Sequence, residues 1–332
     1  MAIADSQSGA VASASRKITV IGGGTGSYTL LKGLKYYDTN LTAIVTTADS
    51  GGSSGQLRDE FGVLPPGDLR RCLVALSEKR GDIWRKIFEY RFNGHTENNN
   101  LGNLIITALT KITGDLPEAL AVASELLATR GRVVPATLDS VQLCAELENG
   151  QKILGEANID IPQHNPQLKI VKLYLTPQAF AYKRAIEAIL DTDLVVIGPG
   201  DLYTSIIPNL LVEGISQALK ATSAKVVYVC NVMTKYGETT NFSAKDFVRE
   251  IQRYTDNALD AVVINTTRPA LALIEAYALE NSFFVEPNIW GAPATVIKTD
   301  LLEERAEVYE GGRIRPLIRH DSGKLARTII SL

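Results

Sequence analysis

Residues 17–55 read KITVIGGGTGSYTLLKGLKYYDTNLTAIVTTADSGGSSG. An apolar run, Ile18 to Ile21, enters a glycine-rich loop, Gly22-Gly23-Gly24-Thr25-Gly26-Ser27. Leu30, Leu31 and Leu34 follow at helical spacing, and a second apolar run covers Leu41 to Val45. A second small-residue loop then closes the stretch, Asp49-Ser50-Gly51-Gly52-Ser53-Ser54-Gly55. This order of strand, loop, helix, strand, loop puts both loops at the same edge of a parallel sheet. Glycine lets backbone N–H groups approach an anion closely, and a helix N-terminus adds favourable partial charge. Two such loops in consecutive units point to the phosphate or diphosphate of a nucleotide.

The same alternation continues along the chain. Strands are expected at 17–21, 41–46, 194–197, 225–230 and 261–264, each followed by a polar loop and an amphipathic helix. Segments 68–79, 101–111 and 116–129 also read as helices. The pattern predicts an α/β fold, a mostly parallel sheet covered on both faces. Residues 132–175 differ: apolar and polar positions alternate, and Glu148-Asn149-Gly150-Gln151 reads as a hairpin turn. A small antiparallel β insertion, a lobe or lid, is expected there. The tail from 312 is a short strand or loop that ends in a helix from about 322, with Asp321 as its cap. In an open sheet of this kind ligands sit beyond the carboxyl ends of the strands, where the strand order reverses.

Composition narrows the function classes. The 332 residues carry 45% hydrophobic and 21% charged side chains and a net charge of −3. That balance gives no electrostatic case for nucleic acid or an anionic membrane. Cys72, Cys144 and Cys230 are scattered, as in a reducing cytoplasm, and there is no zinc-binding spacing among them or His95, His164 and His320. No apolar run reaches the roughly 20 residues that span a bilayer. Residues 1–15 are small and polar and read as a flexible tail rather than a signal peptide. A cytoplasmic protein without membrane insertion is expected.

Single residues carry competing readings. Gly22-x-Gly24-x-x-Ser27 nearly satisfies a dinucleotide fingerprint, and Asp49 stands where a ribose-binding carboxylate would be. The serine at the third position and the Gly/Ser loop after Asp49 speak against a dehydrogenase. Asp49 suits a ribose, a Mg²⁺ ion on a diphosphate, or an Asx-turn within its own loop. Asp68, behind Pro65-Pro66-Gly67, suits helix capping or a site contact. Arg58 and Arg70 suit phosphate contacts or plain ion pairs. Asn103, Asn209, Asn231 and Asn265 sit at element ends, where amides read a base edge or sugar hydroxyls, or else cap turns. Thr204 and Ser205 precede a helix carrying Pro208 and suit a phosphate or N-capping. Tyr277 falls at a half-buried position of a helix over 271–279. No Ser-His-Asp, Cys-His or paired-carboxylate spacing is evident.

Longer motifs resemble a known family. Val20 to Gly26, Ala48 to Arg58 and Pro65-Pro66-Gly67-Asp68-Leu69-Arg70 look like the CofD-like superfamily, and within it the YvcK branch, the gluconeogenesis factors. Gly102-Asn103-Leu104, Gly198-Pro199-Gly200-Asp201-Leu202-Tyr203-Thr204-Ser205-Ile206, Cys230-Asn231-Val232-Met233-Thr234 and Arg319-His320-Asp321 add to the match. Asn99, Asp201 and Tyr236 depart from the residues that family places there. The resemblance covers residues 16–332, one nucleotide-binding domain that includes the β insertion. It implies a Rossmann-like three-layer αβα fold, usually dimeric. Its enzymatic branch moves a 2-phospholactate group from a guanosine diphosphate carrier onto a deazaflavin with Mg²⁺. The YvcK branch is similar in scaffold, binds UDP-sugars, and is linked to cell shape and wall synthesis during gluconeogenic growth. The resemblance also places Tyr277 near the base and Arg319 on the sugar nucleotide.

Together these readings predict a regulatory nucleotide-sugar-binding homodimer with a wall-synthesis protein as partner. Gly22, Gly23, Gly24, Thr25, Gly26, Asp49, Ser50, Gly51, Gly52, Ser53, Ser54, Gly198, Gly200 and Asp201 would surround the diphosphate. The rival is a Mg²⁺-dependent transferase in which Asp49 and Asp201 supply metal ligands.

Overall fold

The computed structural model describes residues 15–78, 83–92, 99–289, 291, 294–308 and 314–332, so nearly all of the expected tail and His95 lie outside it. The strands are β1 (Arg16–Gly22), β2 (Thr39–Val45), β3 (Arg132–Pro135), β4 (Gln142–Leu147), β5 (Lys152–Leu154) and β6 (Ile170–Thr176). They continue with β7 (Leu194–Ile197), β8 (Lys225–Val229), β9 (Ala261–Asn265), β10 (Thr295–Thr299), β11 (Leu302–Val308) and β12 (Ile314–His320). The helices of the first half are α1 (Gly24–Leu34), α2 (Gly52–Phe61), α3 (Gly67–Leu76), α4 (Ile83–Glu89), α5 (Leu101–Thr113) and α6 (Leu116–Leu127). Then come α7 (Glu156–Asp160), α8 (Lys183–Leu190), a π-turn (Leu202–Ile206) running into α9 (Ile207–Leu210), α10 (Ile215–Ala221), α11 (Ala244–Thr255), α12 (Leu271–Ala278) and α13 (Ser322–Ile330).

Seven strands form one sheet in the order β10-β9-β8-β7-β1-β2-β3, and each neighbouring pair is parallel. A strand covered on both faces needs apolar side chains at successive positions, because neighbours point to opposite sides. The central strands meet that requirement. Ile18 and Val20, Leu194 and Val196, Val227 and Val229 enter one core, shared with α1, α3, α6 and α13. Ile21, Val195, Ile197, Val226 and Tyr228 enter the other, shared with α8, α9, α10 and α11. The result is the expected αβα sandwich with doubly wound, Rossmann-like order.

The β insertion begins later than the sequence pattern placed it. Residues 132–135 form β3, which pairs parallel with β2 from Thr42↔Arg132 to Val45↔Pro135 and so belongs to the main sheet. Val133 and Val134 explain this, since each is buried in a different one of the two cores. The insertion itself is the antiparallel sheet β5-β4-β6, with α7 packed against it. Its hairpin turns where expected: the Gly150 N–H donates to the Leu147 carbonyl at 2.8 Å, with Gly150 at φ +83°. Strands β11 and β12 pair antiparallel and return the chain to the carboxyl edge of the main sheet. There Asp321 caps α13 by accepting the Lys324 N–H at 2.7 Å. Among the described residues no helix is long and apolar enough to cross a membrane.

Candidate functional site

Strand β1 lies between β2 and β7, so the chain's progress across the sheet reverses at β1. Beyond the carboxyl ends at this reversal opens a cleft of about 770 Å³. The loops after β1, β2, β7 and β8 form it, together with α7 of the insertion, α12 and the end of β12.

The first glycine loop starts α1, with Gly23 as N-cap. The leading N–H groups of a helix have no intrahelical acceptor and carry the positive end of its dipole. Gly24, at φ +65°, lies beside the Asp68 carboxylate, whose charge its N–H favours, and Thr25 and Gly26 behind it line the cleft. Gly26 also permits a backbone contact between the β1 and β7 loops. A Cβ there would lie 2.3 Å from the Pro199 carbonyl oxygen. The second loop starts α2, with Gly51 as N-cap, and Gly51, Gly52, Ser53 and Ser54 line the same cleft. Both loops therefore present helix N-termini to one space.

Much of the polar chemistry around these loops is already committed. Asp49 adopts the Asx-turn, its Oδ1 accepting the Gly51 N–H at 2.8 Å, while it still lines the cleft. Ser50 is a fastener rather than a lining residue. Its hydroxyl accepts the Ala157 N–H at 3.0 Å and its own N–H donates to Glu156 Oε2 at 3.3 Å, which docks α7 onto the loop. Asn103 donates from Nδ2 to Ser53 Oγ at 3.3 Å and accepts from Arg70 Nε at 2.9 Å. Arg70 also donates to the Phe88 carbonyl at 3.0 Å, and burial lowers its guanidinium to about 10, still cationic at neutral pH. This chain holds the α2 terminus against α3 and α5.

On the β7 side Gly200, Asp201, Thr204 and Ser205 line the cleft, but the Thr204 hydroxyl donates to Glu238 Oε1 at 3.2 Å. Asn231 also lines it and donates from Nδ2 to the Gly200 carbonyl at 2.8 Å. On the far wall the Tyr277 ring packs on a cluster of Val232, Phe284, Leu302 and Ile318, and its hydroxyl accepts the Ile318 N–H at 3.1 Å. Arg319, next along β12, is exposed at this wall. His320 is buried, its imidazole lowered to about 4 and so neutral, and Nε2 has no hydrogen-bond partner among the described residues.

Seven expected residues do not line the cleft. Gly22, Gly23 and Gly198 sit behind the loops; a Cβ on Gly23 would meet Asp68 Oδ2 at 2.4 Å. Ser50 is the fastener already described. Arg58 pairs with Asp59 at 2.8 Å. Asn209 is fully buried and donates to the Ser205 and Ile206 carbonyls. Asn265 staples the loop after β9, accepting the Leu301 N–H at 3.0 Å. Ser50, Asn209 and Asn265 are polar residues at element ends that satisfy nearby backbone groups, and Arg58 is taken by a neighbouring carboxylate.

Residues the sequence reading did not single out include Arg71, Arg91, Glu156, Asp160 and Lys235. Burial raises Glu156 to about 8, helped by the Asp49 and Asp160 charges, and raises Asp68 to about 6, helped by Asp49. Asp160, Asp201 and Glu238 are the one carboxylate trio among the described residues with oxygens close enough to share a metal ion. The trio does not fit Mg²⁺ in this fold, because the Lys235 ammonium already stands among its oxygens, 2.8 Å from Asp201 and 2.9 Å from Glu238.

Comparisons with known proteins bear on the family and the fold. A family model described as 2-phospho-L-lactate transferase CofD matches residues 18–302. A Thermotoga maritima relative is 44% identical over 315 residues, covering 94% of this chain and 98% of that protein. The gluconeogenesis factor of Bacillus subtilis is 38% identical over 95% of this chain and 98% of its own length. A crystal structure of a UPF0052-family member from Bacillus halodurans superposes with a TM-score of 0.87 at 36% identity, covering 95% of this chain and 99% of that one.

Proposed function

The chain belongs to the CofD family, in its gluconeogenesis-factor branch, and we propose that it is a regulatory protein that binds a nucleotide-sugar, a UDP-sugar, in the cleft at the β1–β7 reversal. The observation that carries this reading is the convergence of the α1 and α2 N-termini on one space. A diphosphate has two anionic centres in series, and two helix termini offer two donor sets of matching charge. Tyr277 and Arg319 on the opposite wall supply a ring face and a cation for the nucleoside or sugar. The cleft volume lies within the roughly 300–1,000 Å³ of small-molecule sites.

Occupancy is the signal: it reports nucleotide-sugar supply to a cell-wall synthesis partner and so to cell shape, with the protein acting in the cytoplasm as a homodimer. The transferase reading keeps one specific support, the family model itself, whose description is an enzyme. Calorimetric titration with UDP-N-acetylglucosamine, GDP and NAD, each with and without Mg²⁺, separates these readings. Metal-independent UDP-sugar binding without product supports the regulator. GDP binding that demands Mg²⁺, with group transfer, supports the enzyme and overturns it.

A further inference from the structure

We propose that Lys235 is the resident counter-cation of Asp160, Asp201 and Glu238, closing this trio to divalent metal and tying the β insertion to the cleft. Nζ donates to Asp201 Oδ2 at 2.8 Å, to Glu238 at 2.9 Å and to Asp160 Oδ1. An ammonium has three donors and no acceptor, so these three carboxylates satisfy it completely. Their oxygens lie within 4.8 Å of one another, the spacing at which a divalent ion would draw on them. Mg²⁺ would need to approach the same oxygens to about 2.0–2.1 Å in an octahedral shell, and the ammonium stands in that space. Glu238 is further committed, taking the Thr204 hydroxyl on Oε1 and the Tyr203 N–H on Oε2.

The three carboxylates come from separate parts of the chain. Asp160 ends α7 of the β insertion, Asp201 follows β7, and Glu238 follows β8. One side chain therefore also pins the insertion over the cleft. Burial works against the charge on Lys235, but the three carboxylates outweigh it and hold the ammonium protonated well above the ordinary lysine range. Removing that charge leaves three carboxylates facing one another, for which a divalent cation is the natural counter-charge.

The inference stands apart from the nucleotide-sugar reading. Its test is Mn²⁺ binding to the full chain, followed by electron paramagnetic resonance, in the native protein and in Lys235→Met and Lys235→Gln. The native protein is expected to show no saturable site at the trio. Each variant is expected to gain one Mn²⁺ site, about tenfold tighter or more than any in the native protein, and Asp160→Asn added to Lys235→Met should remove it. A native Mn²⁺ site that Asp160→Asn abolishes overturns the proposal, as do folded Lys235 variants that take up no Mn²⁺. Where both variants fail to fold, the native protein still decides. Its Mn²⁺ titration should superimpose on that of Asp160→Asn, and a saturable site lost in Asp160→Asn overturns the proposal.

Discussion

Replacing Gly26 by alanine should weaken diphosphate binding at least as much as it weakens the fold. A Cβ at this position would sit 2.3 Å from the Pro199 carbonyl oxygen, 2.5 Å from its carbon and 2.7 Å from the Gly200 nitrogen. All three are backbone atoms, so no flexible side chain can swing aside. The closest contact is about 0.7 Å short of the 3.0 Å below which real Cβ contacts are essentially never seen. The α1 N-terminus must then move away from the β7 loop by most of that distance. Overpacking of this kind costs about 1–3 kcal/mol, a fall in Tm of roughly 1–4 °C for a chain of this size. At the site, the same shift spoils at least one charge-assisted hydrogen bond to phosphate, worth about 1.5–3 kcal/mol, and raises Kd about 10- to 100-fold. The assay pairs calorimetric titration of UDP-N-acetylglucosamine with scanning calorimetry of the free protein. Gly114→Ala is the control, since Gly114 has φ +78°, nothing within 4 Å of its Cβ, and lies at the far end of α5. Its Tm should fall with Kd unchanged. A Gly26→Ala protein that binds like the native one refutes the placement of the diphosphate at α1.

Other outcomes follow from the same geometry. Affinity for the anionic ligand should rise as pH falls from 8 to 6, because Glu156 at about 8 and Asp68 at about 6 take up protons and lose charge beside the diphosphate; a flat titration profile contradicts this. The same two carboxyls sit above their unfolded values, so their contribution to stability is full below about pH 4 and is lost as pH rises through about 6 and then about 8; urea unfolding of the ligand-free protein read against Asp68→Asn and Glu156→Gln isolates it. Asn103→Ala should destabilise the fold by about 1–3 kcal/mol, since it strands buried Arg70 and Ser53, with chemical unfolding as the readout. Tyr277→Phe removes the acceptor of the Ile318 N–H beside Arg319, so UDP-sugar Kd should rise about three- to tenfold with little change in Tm.

The sheet was largely legible because its signal is local. Successive apolar residues such as Leu194 to Ile197 announce a strand buried on both faces, and a glycine loop after such a strand announces its carboxyl end. The two glycine-rich loops were legible for the same reason. β10, a five-residue edge strand with no fully buried residue, carries no comparable pattern. The electrostatic half of the site was not readable, because it depends on contacts across long stretches of chain. Lys235 meets Asp160 and Asp201, which lie 75 and 34 residues away, and Glu156 reaches the site only because Ser50 docks α7. Arg58, Asn209 and Asn265 show the converse: residue type and position suited a ligand, but a neighbouring carboxylate takes Arg58 and backbone groups take the two asparagines.

Diffraction from crystals of the protein grown with UDP-N-acetylglucosamine addresses the shared diphosphate cradle without intermediary. The phosphate oxygens should accept from backbone N–H groups of Thr25 or Gly26 and of Ser53 or Ser54 together, at N···O distances of about 2.7–3.1 Å. A diphosphate bound away from either loop, or one that touches a single loop while the other faces solvent, contradicts the account.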